Sequence, residues 1–139
     1  MNEKEIFLDY VQTFEDAYLS DDWSKLLRCF TLDVVHDTGL GQVISGRGLV
    51  ISYLKESTAG FDRSFDSRTP SFGEVKVSGK QVTSPWQFIY RKEGAPDLVA
   101  SGVEIVEIVG ESISRLNSVF DDGVPERTQN WMTKYGALL

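Results

Sequence analysis

The most restrictive feature of this chain is a change of period at Gly60: apolar residues recur at helical spacing before it and alternate one by one from Phe65 to Phe120. Ile6, Phe7, Tyr10, Val11, Phe14, Ala17 and Tyr18 share one face of a helix expected from about Glu3 to Leu19, opened by Asn2 with Glu5 as a capping-box variant. Ser20-Asp21-Asp22 leads into a second helix carrying Trp23, Leu26, Leu27 and Phe30, which ends at Thr31 to Asp33. Val34 to Thr38 reads as a short strand, a glycine-punctuated loop pairs briefly around Gln42 to Ile44, and Ser45 caps a third helix that turns Val50, Tyr53 and Leu54 inward and stops near Gly60.

Beyond Gly60 the alternation divides into four strands: Phe65 to Val77 with an interruption at Pro70, Gln81 to Lys92, Leu98 to Val109, and Ile113 to Phe120. The turns between them are short, so the strands form an antiparallel meander. Pro125 and Gly136 frame a last helix with Trp131, Met132 and Tyr135. Helices first and strands after predict one α+β domain over residues 1–139, its helices packed on one face of a curved sheet.

The net charge of −7, with no basic run longer than Arg91-Lys92, argues against nucleic acid or an anionic membrane surface as partner. The N-terminus lacks a basic segment followed by an apolar run, and no stretch approaches a membrane span, so a cytoplasmic location is the expectation. Cys29 stands alone and His36 is the single histidine, which makes a disulfide impossible within the chain and a metal site unexpected.

Alternation then assigns faces. Ser84, Trp86, Phe88 and Tyr90 share one side of their strand, a surface that is either plain core or the wall of an apolar pocket. The strand Leu98 to Val109 is apolar on both sides, so both are covered, and a second copy of the chain is the simplest cover for the side the helices leave open. In that strand Glu104 lies beside Ala100 and Gly102 on its own face. Small neighbours leave room above a carboxylate, whose acidity weakens if no cation reaches it; the alternative is an ion pair with Arg91 or Arg115. His36 and Asp37 are consecutive on a strand and point to opposite faces, so only one can enter a pocket. Arg63, Asp66 and Arg68 read as surface charge.

The run Phe30, Asp33, Val34 to Asp37, then Gly46-Arg47 and a helix resembles the ketosteroid isomerase and polyketide cyclase type of the nuclear transport factor 2-like superfamily. The resemblance implies a cystatin-like, cone-shaped α+β fold and a cofactor-free acid–base site. It puts Asp37 at the proton-shuttling aspartate of the isomerases and Glu104 near their protonated second acid. Their helix 1 tyrosine falls on Phe14, a departure, and Tyr10 or Tyr18 would have to reach from one turn away. Similar dehydratases use a histidine pair where this chain has His36 alone, and Arg115 and Asp121, which an epoxide hydrolase would need, lie on the face opposite Leu116, Ser118 and Phe120. The cavity expected on this fold is lined by Phe14, Tyr18, Leu54, Trp86, Phe88, Tyr90, Leu116 and Phe120. Two functions follow: an isomerase, cyclase or hydrolase of a small apolar compound working through Asp37, Glu104 or His36, or a non-enzymatic dimeric module for ligand or protein binding.

Overall fold

In the computed structural model, which describes residues 1–139, helix α1 (Glu3–Ser20) starts where Asn2 accepts a hydrogen bond from the Glu5 amide at 2.9 Å. Its apolar stripe, Ile6, Phe7, Tyr10 and Ala17, is buried. The second helix is a 3₁₀ helix, Trp23–Cys29, with Asp22 as its cap, and it is shorter than the sequence suggests because β1 (Phe30–Asp37) already begins at Phe30. Ser45 ends β2 (Val43–Ser45) instead of capping the next helix. That place falls to Gly46, whose φ of 98° suits a residue without Cβ. Helix α2 (Arg47–Leu54) runs on past the expected stop through a π turn, Lys55–Ala59, into α3 (Gly60–Asp62). This extension brings Asp62 inward.

The sheet follows in β3 (Ser67–Phe72), β4 (Lys76–Ser78), β5 (Gln81–Arg91), β6 (Leu98–Val109) and β7 (Ser112–Phe120), ordered β2-β1-β7-β6-β5-β3 with β4 also on β5. All pairs are antiparallel except β1 with β7, where the chain returns from the helical half and runs parallel. Pro70 does not interrupt its strand: it pairs with Phe88 inside β3, an edge strand where a missing N–H is tolerated, and the break comes after Phe72 instead. Helix α4 (Val124–Tyr135) closes the far end. There Trp131 packs with Phe65, Tyr90 and Leu98 and donates to the Pro96 carbonyl at 2.8 Å.

The main core fills the narrow end of the curved sheet. Val82, Val106, Ile108, Ile113 and Leu116 meet Ile6, Phe7, Tyr10, Leu26 and Val50 there. A shift of register between Glu107 and Ile108 turns Ile113 to the same side as Ile108, so the apolar face continues around the bend. Gly102 is the tightest point of the curved face: a Cβ there would lie 2.2 Å from the Val119 carbonyl oxygen and 2.9 Å from the Trp86 ring. Gly102→Ala should therefore cost about 1–3 kcal/mol, read as a lower thermal midpoint.

Candidate functional site

Between α1, α2 and the concave face of the sheet lies a cavity of about 410 Å³. Its walls include Phe14, Leu54, Trp86, Phe88, Tyr90, Leu116 and Phe120, presented by strands whose alternate positions all turn the same way. Tyr18 does not line it. Its ring lies outside, with the guanidinium of Arg68 4.5 Å and that of Arg63 5.0 Å from its centroid.

The cavity decides between the two neighbours on β1. His36 lines it and is 3% exposed, on the buried side with Val34, whereas Asp37 faces away. Asp37 instead accepts a hydrogen bond from the Gly39 amide at 3.0 Å, capping a turn in which Gly39 has a φ of 76°. The expectation that Asp37 supplies the pocket base is corrected by this parity. His36 Nδ1 sits 2.8 Å from the Leu116 carbonyl oxygen, its register partner on β7. A carbonyl can only accept, so Nδ1 carries the hydrogen and Nε2 is the basic nitrogen. Burial pushes the His36 pKa below its ordinary value, with the Leu116 carbonyl and Asp37 pulling the other way.

Glu104 also lines the cavity, opposite Ser84 on one side and Ser118 on the other. No cation reaches it: Arg91 pairs with Asp97 at 3.3 Å, and Arg115 lies on the other face of the sheet. The Ser118 hydroxyl is its polar partner, at 3.0 and 3.3 Å from the two oxygens. Desolvation raises its pKa to about 8 against the small lowering from Ser118, so at neutral pH the carboxyl is mostly protonated. Tyr10 stands near enough that Glu104, after burial itself, contributes to raising the phenol's pKa. Asp121 is outside the cavity, where it accepts a hydrogen bond from the Ser101 hydroxyl at 2.7 Å.

The other end of the cavity holds a charged group that the sequence reading assigned to the surface. Arg68, with a side chain only 5% exposed, stands opposite Tyr90 in the β3–β5 register and faces inward. Its two terminal nitrogens bind the Glu15 carboxylate at 3.0 and 2.9 Å, and its Nε lies 2.8 Å from Asp62. Burial raises the Asp62 pKa to about 6, which Arg68 and Tyr90 moderate and Glu15 reinforces. The signal that could have found this cluster is parity: Arg68, Pro70 and Phe72 pair with Tyr90, Phe88 and Trp86, the aromatic face.

No family model and no curated protein matches the sequence. Solved structures do match in shape. A candidate SnoaL-like polyketide cyclase from Shewanella putrefaciens superposes with a TM-score of 0.70 at 11% identity, over 96% of this chain and 98% of its own. A hypothetical protein with a ketosteroid isomerase-like fold from Catenulispora acidiphila, in complex with trimethylamine, gives 0.63 at 17% identity over 83% and 87%. TerC, co-crystallised with polyporic acid, gives 0.66 at 13% identity over 91% and 97%. With its helices on a curved, cone-forming sheet, this chain has the α+β fold of the nuclear transport factor 2-like superfamily.

Proposed function

We propose that the cavity binds a small, largely apolar molecule and acts on it by cofactor-free acid–base chemistry, with His36 as base and Glu104 as hydrogen-bond and proton donor. The observation that carries this reading is that a buried imidazole and a carboxyl that no cation reaches line one apolar cavity from strands two apart. By strand geometry their Cα atoms are separated by roughly 10 Å across the sheet and 7 Å along it, so the side chains can flank a bound carbonyl compound. His36 Nε2 takes the proton from a carbon next to the carbonyl. The electron pair of the broken C–H bond moves onto the carbonyl oxygen, which Glu104 protonates or holds by a hydrogen bond. Return of the proton from His36 to another carbon completes an isomerisation. Addition of the enolate carbon to a second carbonyl in the same molecule, whose oxygen takes the electron pair and then the proton held on His36, completes a cyclisation.

A second reading, a binding module without turnover, draws support from Phe14, whose ring cannot donate to an oxyanion. Both readings require the cavity to bind. An apolar ligand should quench or shift the emission of Trp86, whose ring forms part of the wall, and Trp86→Phe should remove most of that response while Trp23 and Trp131 keep theirs. Deuterium wash-in from D₂O into enolisable ketones then separates the two, because a binding module exchanges nothing above the solvent rate. Polyporic acid and trimethylamine, held by two proteins of the same fold, differ in charge. The ligand's charge must therefore be read from this chain's own residues.

The same reading includes a homodimer through the outer face of the sheet. Val99, Val109 and Val119 are 42%, 61% and 49% exposed on the side that no helix covers, an apolar strip that a second copy would bury. Light scattering at micromolar concentration should give twice the chain mass, and a monomeric mass would remove the dimer. No helix is long and apolar enough to cross a membrane.

A further inference from the structure

The chemistry at His36 and Glu104 leaves the opposite end of the cavity unused. Along β5 the two ends are Ser84, which pairs with Glu104, and Tyr90, which pairs with Arg68. Six steps of strand separate them, roughly 20 Å. A ligand that fills the cavity is elongated, and its far end meets Asp62, Tyr90, Phe88 and Phe61.

Charge at that end does not balance. Two carboxylates, Glu15 and Asp62, face the one guanidinium of Arg68. Arg68 is already matched by acids: each terminal nitrogen gives a hydrogen bond to Glu15, Nε lies against Asp62, and its flat faces are covered by Tyr18 at 4.5 Å and Phe88 at 4.6 Å. The Asp62 side chain is 6% exposed; its one ion contact is with Arg68 Nε, which lacks good hydrogen-bond geometry, and the Tyr90 hydroxyl is its other polar partner. A phenol and a guanidinium shared with Glu15 leave the buried carboxylate short of positive charge, which a further cation would offset. Around it stand the rings of Phe61, Phe88 and Tyr90, with Phe61 and Tyr90 centroids 5.4 Å apart and Phe88 and Tyr90 6.2 Å apart. Aromatic faces next to a carboxylate suit an ammonium group on two counts, by ion pairing and by the ring quadrupole.

Building on the binding reading above, we infer that the ligand carries a protonated amine, seated on Asp62 among Phe61, Phe88 and Tyr90, with its apolar body extending toward His36 and Glu104. Carboxylates and phosphates are disfavoured at this end, because two carboxylates already face its one guanidinium and the surplus charge is negative. The elevated pKa of Asp62 is a second mark of the same imbalance, and an ammonium would lower it.

Calorimetry with three probes of one shape tests this: phenethylammonium, phenethyl alcohol and hydrocinnamate, at neutral pH and fixed ionic strength. The ammonium should bind roughly tenfold tighter than the alcohol, and hydrocinnamate weakest. Asp62→Asn should erase the preference for the ammonium and leave the alcohol's affinity within about twofold. If that variant does not fold, Glu15→Gln serves instead: it leaves the Arg68–Asp62 pair neutral, so the preference should fall and hydrocinnamate should gain. Hydrocinnamate binding as tightly as the ammonium, or a preference that survives in whichever variant folds, overturns the inference alone. Failure of all three probes to bind overturns both the inference and the binding reading on which it rests.

Discussion

Turnover of an enolisable substrate accepted by the cavity should fall by roughly 10²–10⁴ when His36 is replaced by Gln, the range expected for loss of a positioned general base. The Gln amide can still donate to the Leu116 carbonyl, so the wall keeps its hydrogen bond while the basic nitrogen disappears. Asp37→Asn, which retains an oxygen for the Gly39 amide, should leave turnover within about twofold of the parent. The pH profile supplies an independent check. His36 must be unprotonated, so activity rises through a pKa below the ordinary ~6.5 of imidazole. Glu104 must be protonated, so activity declines again near pH 8. In His36→Gln the acid limb should flatten and the alkaline limb remain. Full activity in that variant, or loss of activity in Asp37→Asn, would return the base to the aspartate.

That the sequence points to Asp37 and the structure to His36 follows from how strand faces are read. β5 and β6 carry long alternating runs with aromatic or small residues on one side, so which residues share a face, Trp86 to Tyr90 and Ala100 to Glu104, is legible from parity, while a core wall and a pocket wall look alike in sequence. β1 offers no such cue. Val34 and Val35 are equally apolar and Leu32, between Phe30 and Val34, is 76% exposed, so alternation alone does not mark Phe30, Val34 and His36 as one buried face, and Asp37 follows from its position in the motif instead. The Arg68–Asp62–Glu15 cluster was hidden for a different reason. Its members come from an edge strand, the end of a π-distorted helix and the cavity side of α1, and only the tertiary fold brings them together. Pro70 reinforced the misreading, because a proline in a central strand would break it and its place on an edge is visible only once strand order is known.

Glu104→Gln should make the protein more stable than its parent at pH 8 and change it far less at pH 5. The folded chain binds a proton at Glu104 up to about pH 8, whereas the unfolded chain releases it near the ordinary carboxyl value of 4.5. Between those values the native state holds one more proton than the unfolded state, so unfolding free energy falls as pH rises, by at most ~1.4 kcal/mol per unit. The stability tied to this proton is fully present below 4.5 and is lost as pH rises through about 8. Across the window the loss should be on the order of 3 kcal/mol, less than full desolvation would give because Glu104 borders an open cavity. Gln keeps the shape and can accept from the Ser118 hydroxyl, yet has no proton to lose. Other groups shift with pH as well. Asp62, with its raised pKa of about 6, loses stabilisation as pH rises to that value, while His36, with its lowered pKa, gains stabilisation on the way up to its ordinary value. Both act equally in parent and variant, so the difference between their urea midpoints, followed from pH 5 to pH 8, isolates Glu104. A widening gap in favour of the Gln variant confirms a carboxyl held protonated in the cavity. Parallel curves would mean that Glu104 is ionised in the native state and has no proton to give.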